Sequence, residues 1–394
     1  MVTSSPDSLI AMSEALVATA DSADGAALIT GQLEGILSSR IPFRFDYQPI
    51  VDLKRGLVAG YEALVRFAAE PRMSPDRWFN EADKRGLRLP LEDLVLRRAL
   101  HARTQLPANC FLSLNASPCF LLSDLWGPLL DAMPDWNGMV VEITENELIT
   151  EYQAVLERIA MIRSRGGYIA VDDAGSGYSS LKHVMELKPD FVKLDRSFVN
   201  DCDCDRARAA LIEMLGMAAG RLDAWVIAEG VEKETELAEL IRLRTPLAQG
   251  YYLSRPGPEM CALDAAKTGG ILARVRDCDR TDSVSSSMET AMACRNLEEA
   301  YSRLAQSAGP AFAVVLDRWR RPRNLVERHA AIGIREIGDF RRVHVLGDAR
   351  EALTRALTRP EDQRFDPLAV INDQGEFQGI ARIDRLMQQM LAAF

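Results

Sequence analysis

Between residues 43 and 255 the chain repeats one rhythm: a short apolar run, a polar loop, then a stretch with helical periodicity. The runs are Phe45–Val51, Gly60–Phe67, Cys110–Asn115, Met139–Ile143, Tyr168–Val171, Phe191–Leu194, Ala224–Ala228 and Gln249–Leu253. They are rich in β-branched and aromatic residues, which fit a pleated, half-buried surface. Amphipathic segments lie between most of them, at Leu91–Ala102, Glu151–Arg163, Arg206–Ala219 and Lys233–Leu243. Eight strands separated mainly by helices predict an α/β chain built on a TIM-like (β/α)8 barrel. The first two runs depart from that scheme. Only the loop Asp52–Gly56 joins them, and a parallel pair needs a crossover of about a dozen residues. They are expected to form an antiparallel hairpin.

The flanks read differently. Residues 1–40 look like a helical lead-in, with Ser-Pro-Asp-Ser as a helix start, and the barrel is expected over 41–268. Residues 269–290 read as a linker, because Arg276–Ser287 is polar, charged and rich in serine. From 291 to 394 the pattern repeats weakly. A helix at Asn296–Ser307 precedes a strand at Ala311–Leu316, and a helix at Asp348–Thr358 precedes a strand at Pro367–Asn372. A duplicated αββα unit, forming a smaller α+β domain, is the expectation.

The formal net charge of −10 argues against a DNA or RNA partner, which requires a basic surface to displace counterions. The seven cysteines are odd in number and lack the C-x₂-C spacing of a zinc site, so reduced thiols in a cytoplasmic protein are expected. No apolar run reaches the roughly 18 residues of a membrane span, and no signal-peptide pattern opens the chain. Cytoplasmic location without membrane insertion is the expectation.

The informative residues lie at the ends of the strand candidates. Glu62 and Arg66 sit on the second, Asn115 ends the third, and Glu142 with Glu145 closes the fourth. Asp172 and Asp173 follow the fifth, Lys193 and Asp195 end the sixth, Glu229 and Glu232 follow the seventh, and Gln249 begins the eighth. Any one such carboxylate is ordinarily a solvated turn or a helix cap. A whole set is different, because barrel strands converge on one rim, where this architecture holds its active sites. The adjacent pair Asp172-Asp173 is costly beside apolar residues unless cations neutralise it. Hard oxygen ligands suit Mg²⁺ or Mn²⁺, and two such ions clamp the attacking and leaving oxygens of a phosphoryl displacement. Lys193 can orient water or offset developing charge.

Other schemes fit less well. The four histidines have no ligand or triad spacing. A glycosidase needs two carboxylates but neither Asn115 nor Lys193. The glycine-rich stretch 172–180 matches neither phosphate-loop fingerprint, and reads as a mobile loop bearing the two aspartates.

Residues 43–258 resemble the EAL family of cyclic di-GMP phosphodiesterases. Glu62-Ala63-Leu64 stands literally within Tyr-Glu-Ala-Leu-Val-Arg (61–66). Tyr-Gln-Pro-Ile-Val (47–51), Leu-Ser-Leu-Asn-Ala-Ser (112–117), Val-Glu-Ile-Thr-Glu (141–145), the segment from Asp172, Val-Lys-Leu-Asp (192–195), Ala-Glu-Gly-Val-Glu (228–232) and Gln-Gly-Tyr-Tyr-Leu (249–253) follow in the family's order. The resemblance implies an EAL-type barrel in which Glu62, Asn115, Glu142 and Asp172 hold one Mg²⁺ or Mn²⁺. By the same resemblance, Asp172 would bridge to a second ion completed by Asp173 and Glu229. It implies that Lys193 activates the water and that Glu145 supports the loop after the fifth strand. Arg66, Gln48 and the backbone near Leu64 would engage the substrate, with Asp195, Glu232 and Gln249 as further contacts. Cyclic di-GMP would be opened to linear 5′-pGpG, and family members often pair as homodimers through the barrel. One position departs: Ala174 stands where the family usually has Phe after the two aspartates. The alternative reading is a cyclic di-GMP receptor without catalysis, and a third is a phosphodiesterase for another nucleotide.

The C-terminal region resembles a tandem cystathionine-β-synthase-type (CBS) module, chiefly through Pro367–Ile380 and Asp384. That implies a regulatory or dimerising role, with a nucleotide or other ligand. Ala381, where the family often has Ser or Thr, weakens the ligand reading for this half. The basic stretch Arg318–Arg323 reads as an anion site or, more simply, a solvated loop.

Overall fold

The turn after the first strand sets the course of the barrel. Asp52 Oδ1 accepts a hydrogen bond from the Arg55 amide and Gly56 adopts φ +63°, so the chain reverses at once. β1 (Phe43–Asp52) and β2 (Leu57–Phe67) are therefore antiparallel, with Gln48 opposite Glu62. β3 (Phe111–Ala116), β4 (Met139–Ile143), β5 (Tyr168–Ala174), β6 (Phe191–Leu194), β7 (Trp225–Ala228) and β8 (Leu247–Ala248) continue in parallel from β2. β8 pairs antiparallel with β1, closing an eight-stranded barrel. The structure is a computed structural model and describes residues 23–143, 151–174, 178–306, 310–329, 333–338 and 340–392.

Strands inside the ring read as continuous apolar runs because both faces are covered; Met139–Ile143 is buried at every position. Ile50, Ile227 and Leu247 fill the far end of the barrel, packed against Ala59, Phe111 and Phe191. Outside the wall, the helix Arg88–His101 buries Leu91, Val95, Leu96, Ala99 and Leu100 along one stripe. The helix Pro75–Asp83 inserts Trp78 and Ala82 beside it.

The eighth strand corrects the sequence reading. Gln249–Leu253 was expected as that strand, yet the ladder ends at Ala248 and a turn follows. Gly250 lies so close to Val231 that an added Cβ would stand 2.2 Å from its backbone N and O. The Val231 amide donates to Gln249 O, and the Tyr252 amide to Val231 O. The apolar Tyr-Tyr-Leu run thus packs as a turn against the loop after β7.

A second correction concerns residues 269–290. The chain there continues the helix Ala265–Asp282, and only the serine run beyond it leaves helical structure for a short 3₁₀ turn. The charged residues Arg276–Asp282, part of the stretch read as linker, lie within that helix. The chain divides into two compact units after Leu272, inside this helix.

Among the described residues the C-terminal unit holds two four-stranded sheets. Met292–Cys294 runs parallel to Phe312–Leu316, which pairs antiparallel with Pro322–His329. Arg342–His344, Leu368–Ile371 and Phe377–Ala381 repeat those pairings. The helices Leu297–Ala305 and Ala349–Leu357 make the two parallel crossovers. The closing helix of the expected αββα unit is present in the second copy, Ile383–Ala392. In the first copy the strand Gly333–Ile337 stands there. Among the described residues no helix is long and apolar enough to cross a membrane.

Candidate active site

Lys193 is the centre of the site. It is the penultimate residue of β6 and almost wholly buried, with its Nζ 2.7 Å from Glu142 Oε2, 2.7 Å from Glu229 Oε1, 3.1 Å from Asp172 Oδ1 and 3.7 Å from Glu62 Oε1. These carboxylates come from β4, the loop after β7, β5 and β2, so only a closed barrel gathers them. Four carboxyl groups face one ammonium in a region from which water is largely removed.

The electrostatics follow from that imbalance. Burial, reinforced by Glu62 and Asp172, outweighs Lys193 and pushes the Glu142 carboxyl up to about 8. Burial likewise raises Glu229 well above the ordinary carboxylate range, with Asp172, Glu62 and Glu142 adding to it. Burial also works to raise Glu62, but the Lys193 charge and hydrogen bonds from Gln249 and Asn115 together hold it below the usual value. For Lys193, burial favours the neutral amine, and the surrounding carboxylates overcome it and raise its pKa well above normal.

The Asp172-Asp173 pair needs a local device. Consecutive residues of a strand face opposite sides of a sheet. Here the register between β5 and β6 shifts between Val171 and Ala174, and Asp173 adopts φ +50°, a left-handed conformation that Asp tolerates better than most residues. Both aspartates thereby line the same cavity. Carboxylate oxygens of Asp172, Asp173 and Glu229 all lie within 4.8 Å of one another. The pair belongs to the end of β5 and not to a loop, as its glycine-rich context had suggested. Ala174 beside it is fully buried and opposes Leu194.

A polar chain extends the centre toward β1 and β8. Gln249 Nε2 donates to Glu62 Oε2 at 2.6 Å and to Gln48 Oε1 at 3.0 Å, and Asn115 Nδ2 donates to Glu62 Oε1 at 3.1 Å. Gln48 Nε2 donates to Ser254 O at 3.3 Å. Beside this chain lies a cavity of about 650 Å³, a size ordinary for small-ligand sites, lined among others by Glu62, Leu64, Arg66, Asn115, Asp172 and Asp173. Arg66 Nε donates to Asp46 Oδ2 at 3.0 Å, which fixes the guanidinium at the cavity wall.

Two sequence candidates stand apart from this network. Asp195 caps the short helix Arg196–Val199 by accepting from the Ser197 amide. Glu232 is exposed and faces Arg196 at 3.4 Å. Glu145 lies outside the described residues. Conversely, sequence reasoning passed over Asp46, Glu92 and Glu236. Glu236 is fully buried and accepts from the amides of Asp201, Glu232 and Lys233, tethering the loop that carries Glu229. Its place as the third residue of a helix, where a Glu side chain reaches back to the amide before the helix, was the available signal.

The residue set fits divalent cations. Its donors are hard oxygens, and Glu142 Oε1 is buried without a hydrogen-bond partner among the described residues. An unpaired buried oxygen facing like charges is costly, and a cation is the group that would satisfy it.

The fold and the site together define a TIM-like barrel with an acidic, oxygen-donor centre at the rim, in which the first strand is reversed. The EAL domain profile matches residues 35–256, and the chain belongs to the EAL-domain family. The cyclic di-GMP phosphodiesterase NbdA of Pseudomonas aeruginosa is 33% identical over 224 residues, covering 54% of this chain and 28% of that protein. The probable cyclic di-GMP phosphodiesterase PdeN of Escherichia coli K12 is 30% identical over 230 residues, covering 56% of this chain and 44% of that protein. The chain therefore spans less than half the length of either. Among solved structures, an EAL domain protein from Listeria monocytogenes is 26% identical with a TM-score of 0.52, covering 58% of this chain and 94% of that one. The PaMucR phosphodiesterase in complex with c-di-GMP is 27% identical with a TM-score of 0.51, covering 58% and 97%.

Proposed function

We propose that the barrel hydrolyses cyclic di-GMP to linear 5′-pGpG with the help of two Mg²⁺ or Mn²⁺ ions. The observation that carries this reading is the ring of Glu62, Glu142, Asp172 and Glu229 around Lys193, beside a ligand-sized cavity. The names of the relatives supply the substrate. Glu62, Asn115, Glu142 and Asp172 would hold one ion, and Asp172, Asp173 and Glu229 the other. When bound, the ions would clamp the attacking and leaving oxygens of the displacement. Lys193 would orient the attacking water and hold positive charge beside the phosphorus as negative charge builds. Arg66, kept in place by Asp46, suits a phosphate oxygen. Gln48, Leu64 and Gln249 would fix the remainder of the substrate, with Asp195 and Glu232 contributing only if substrate draws them in.

The test is turnover by the purified protein with cyclic di-GMP and Mg²⁺ or Mn²⁺, products separated by chromatography, beside a chelated control. Linear dinucleotide appearing only with metal supports the enzyme. Binding without turnover in either metal moves the protein to the receptor class, which the complete carboxylate set disfavours.

Two further parts belong to the proposal. A homodimer is supported by the helix Arg206–Arg221, whose outer side exposes Leu211, Met214 and Met217 at 39, 49 and 62%. Three large apolar residues spaced three apart on one helix make a contiguous patch of a kind found at association surfaces. The C-terminal unit, with its duplicated strand-helix-strand-strand order, is read as a CBS-like module tuning the barrel, by a nucleotide or another ligand.

A further inference from the structure

We infer that Glu92 is a positioning residue for Asn115, setting the metal affinity of that arm of the site; the inference rests on the function proposed above. Past Ser113, β3 loses its partner on one side. The register with β2 ends at Glu62–Ser113, while β4 continues beside β3 to Ala116. The cavity opens on the abandoned side, and Asn115 faces it, exposed. A strand end with one free edge is held by a ladder on one side only, yet this one carries the sole uncharged side chain of the proposed ligand set.

Glu92 takes over the missing support. It projects from the helix Arg88–His101 on the opposite wall and is buried to 5% exposure. Its Oε1 accepts from the Ser117 amide, and its Oε2 accepts from Ser117 Oγ at 2.8 Å. Ser117 Oγ in turn accepts from the Phe120 amide at 3.1 Å, capping the helix Pro118–Leu122. Arg88 Nε stands 3.8 Å from Glu92 Oε2. A serine caps a helix without a carboxylate behind it, so the cap alone does not account for a buried charge here. The two-point clamp on Ser117 does: it locks the corner two residues after Asn115 and ties the cavity wall to the strand carrying that ligand. Groups that hold metal ligands in place typically cost about 10–100-fold in metal affinity or activity when removed.

The experiment measures Mn²⁺ affinity by calorimetry, thermal stability, and kcat and KM for cyclic di-GMP on the full chain. Glu92→Gln keeps the side chain's volume and loses the charged acceptor; Ser117→Ala removes one of the two bonds and leaves the charge in place. Both are expected to weaken Mn²⁺ binding, Glu92→Gln by about tenfold and Ser117→Ala by less, and to lower kcat more than they raise KM. Unchanged Mn²⁺ affinity in either folded variant overturns the inference, and lowered thermal stability at unchanged affinity assigns Glu92 to the fold alone. Wild-type protein that binds no Mn²⁺ and turns over nothing removes the proposed function instead. Wild type that binds and turns over beside indifferent variants removes only the role of Glu92.

Discussion

Glu62 illustrates how tightly single residues in this site are tied together, since it touches Gln249, Asn115 and Lys193 at once. Glu62→Ala is expected to abolish turnover, to below about one part in a thousand, because it removes a proposed ligand and takes away the acceptor of the Asn115 amide; retained turnover with Mg²⁺ would refute the metal assignment. Glu142 gives a pH prediction for the chelated protein. Its carboxyl is held near 8 against an ordinary 4.5, so the folded state binds the proton more tightly than the unfolded chain. Stability from this group is present below the lower value and lost as pH rises toward the upper one. The melting temperature of metal-free protein should therefore fall between about pH 5 and pH 8, and Glu142→Gln should flatten that fall. An equal slope in both proteins would place the effect elsewhere. At this scale the grouping around Lys193 was largely readable from sequence: Asn115, Glu142, Asp172, Lys193 and Glu229 stand at or next to strand ends, and Glu62, in mid-strand, was singled out by the Glu-Ala-Leu motif. Asp46 and Glu92 were not, because a carboxylate inside a strand or on a helix looks solvated until the neighbouring wall is known.

The elements were legible wherever periodicity and connection length agreed. The loop Asp52–Gly56 was too short for a crossover, and β1 is indeed reversed. Gln249–Leu253 misled because its apolar content matches a strand, while the deciding fact, the approach of Gly250 to Val231, is a tertiary one. Gly250→Ala tests that account. An added methyl would collide with the backbone N, O and Cα of Val231, and a cost of about 2–3 kcal/mol is expected, together with reduced turnover, since Gln249 and Glu229 flank the contact. Denaturant melts of the variant should show it; a change under about 0.5 kcal/mol would mean that the turn relaxes freely. The bulge at Asp172-Asp173 is a similar case: the sequence displayed two adjacent carboxylates but not the positive φ that lets both reach one cavity.

On the scale of the whole molecule, the apolar stripe on the helix Arg206–Arg221 makes a prediction about mass. Met214→Glu places a charge in the middle of the patch, and light scattering should report half the wild-type mass with the barrel's melting temperature little changed. Monomeric wild type at micromolar concentration would remove the dimer from the proposal. The division of the chain was only partly legible, because a helix crosses the boundary that polar composition marked as a linker. The reversed first strand has one more consequence. Phe43 stands opposite Phe67, where β2 finishes, while Thr268 and Leu272 meet Gly56 at the other end of the barrel. The polypeptide thus enters β1 at the rim that carries the acidic site and departs past the opposite end of the barrel. A segment ahead of Phe43 therefore sets out from the rim that holds the acidic site, so a barrel of this build can be extended N-terminally on its working side without altering a single strand.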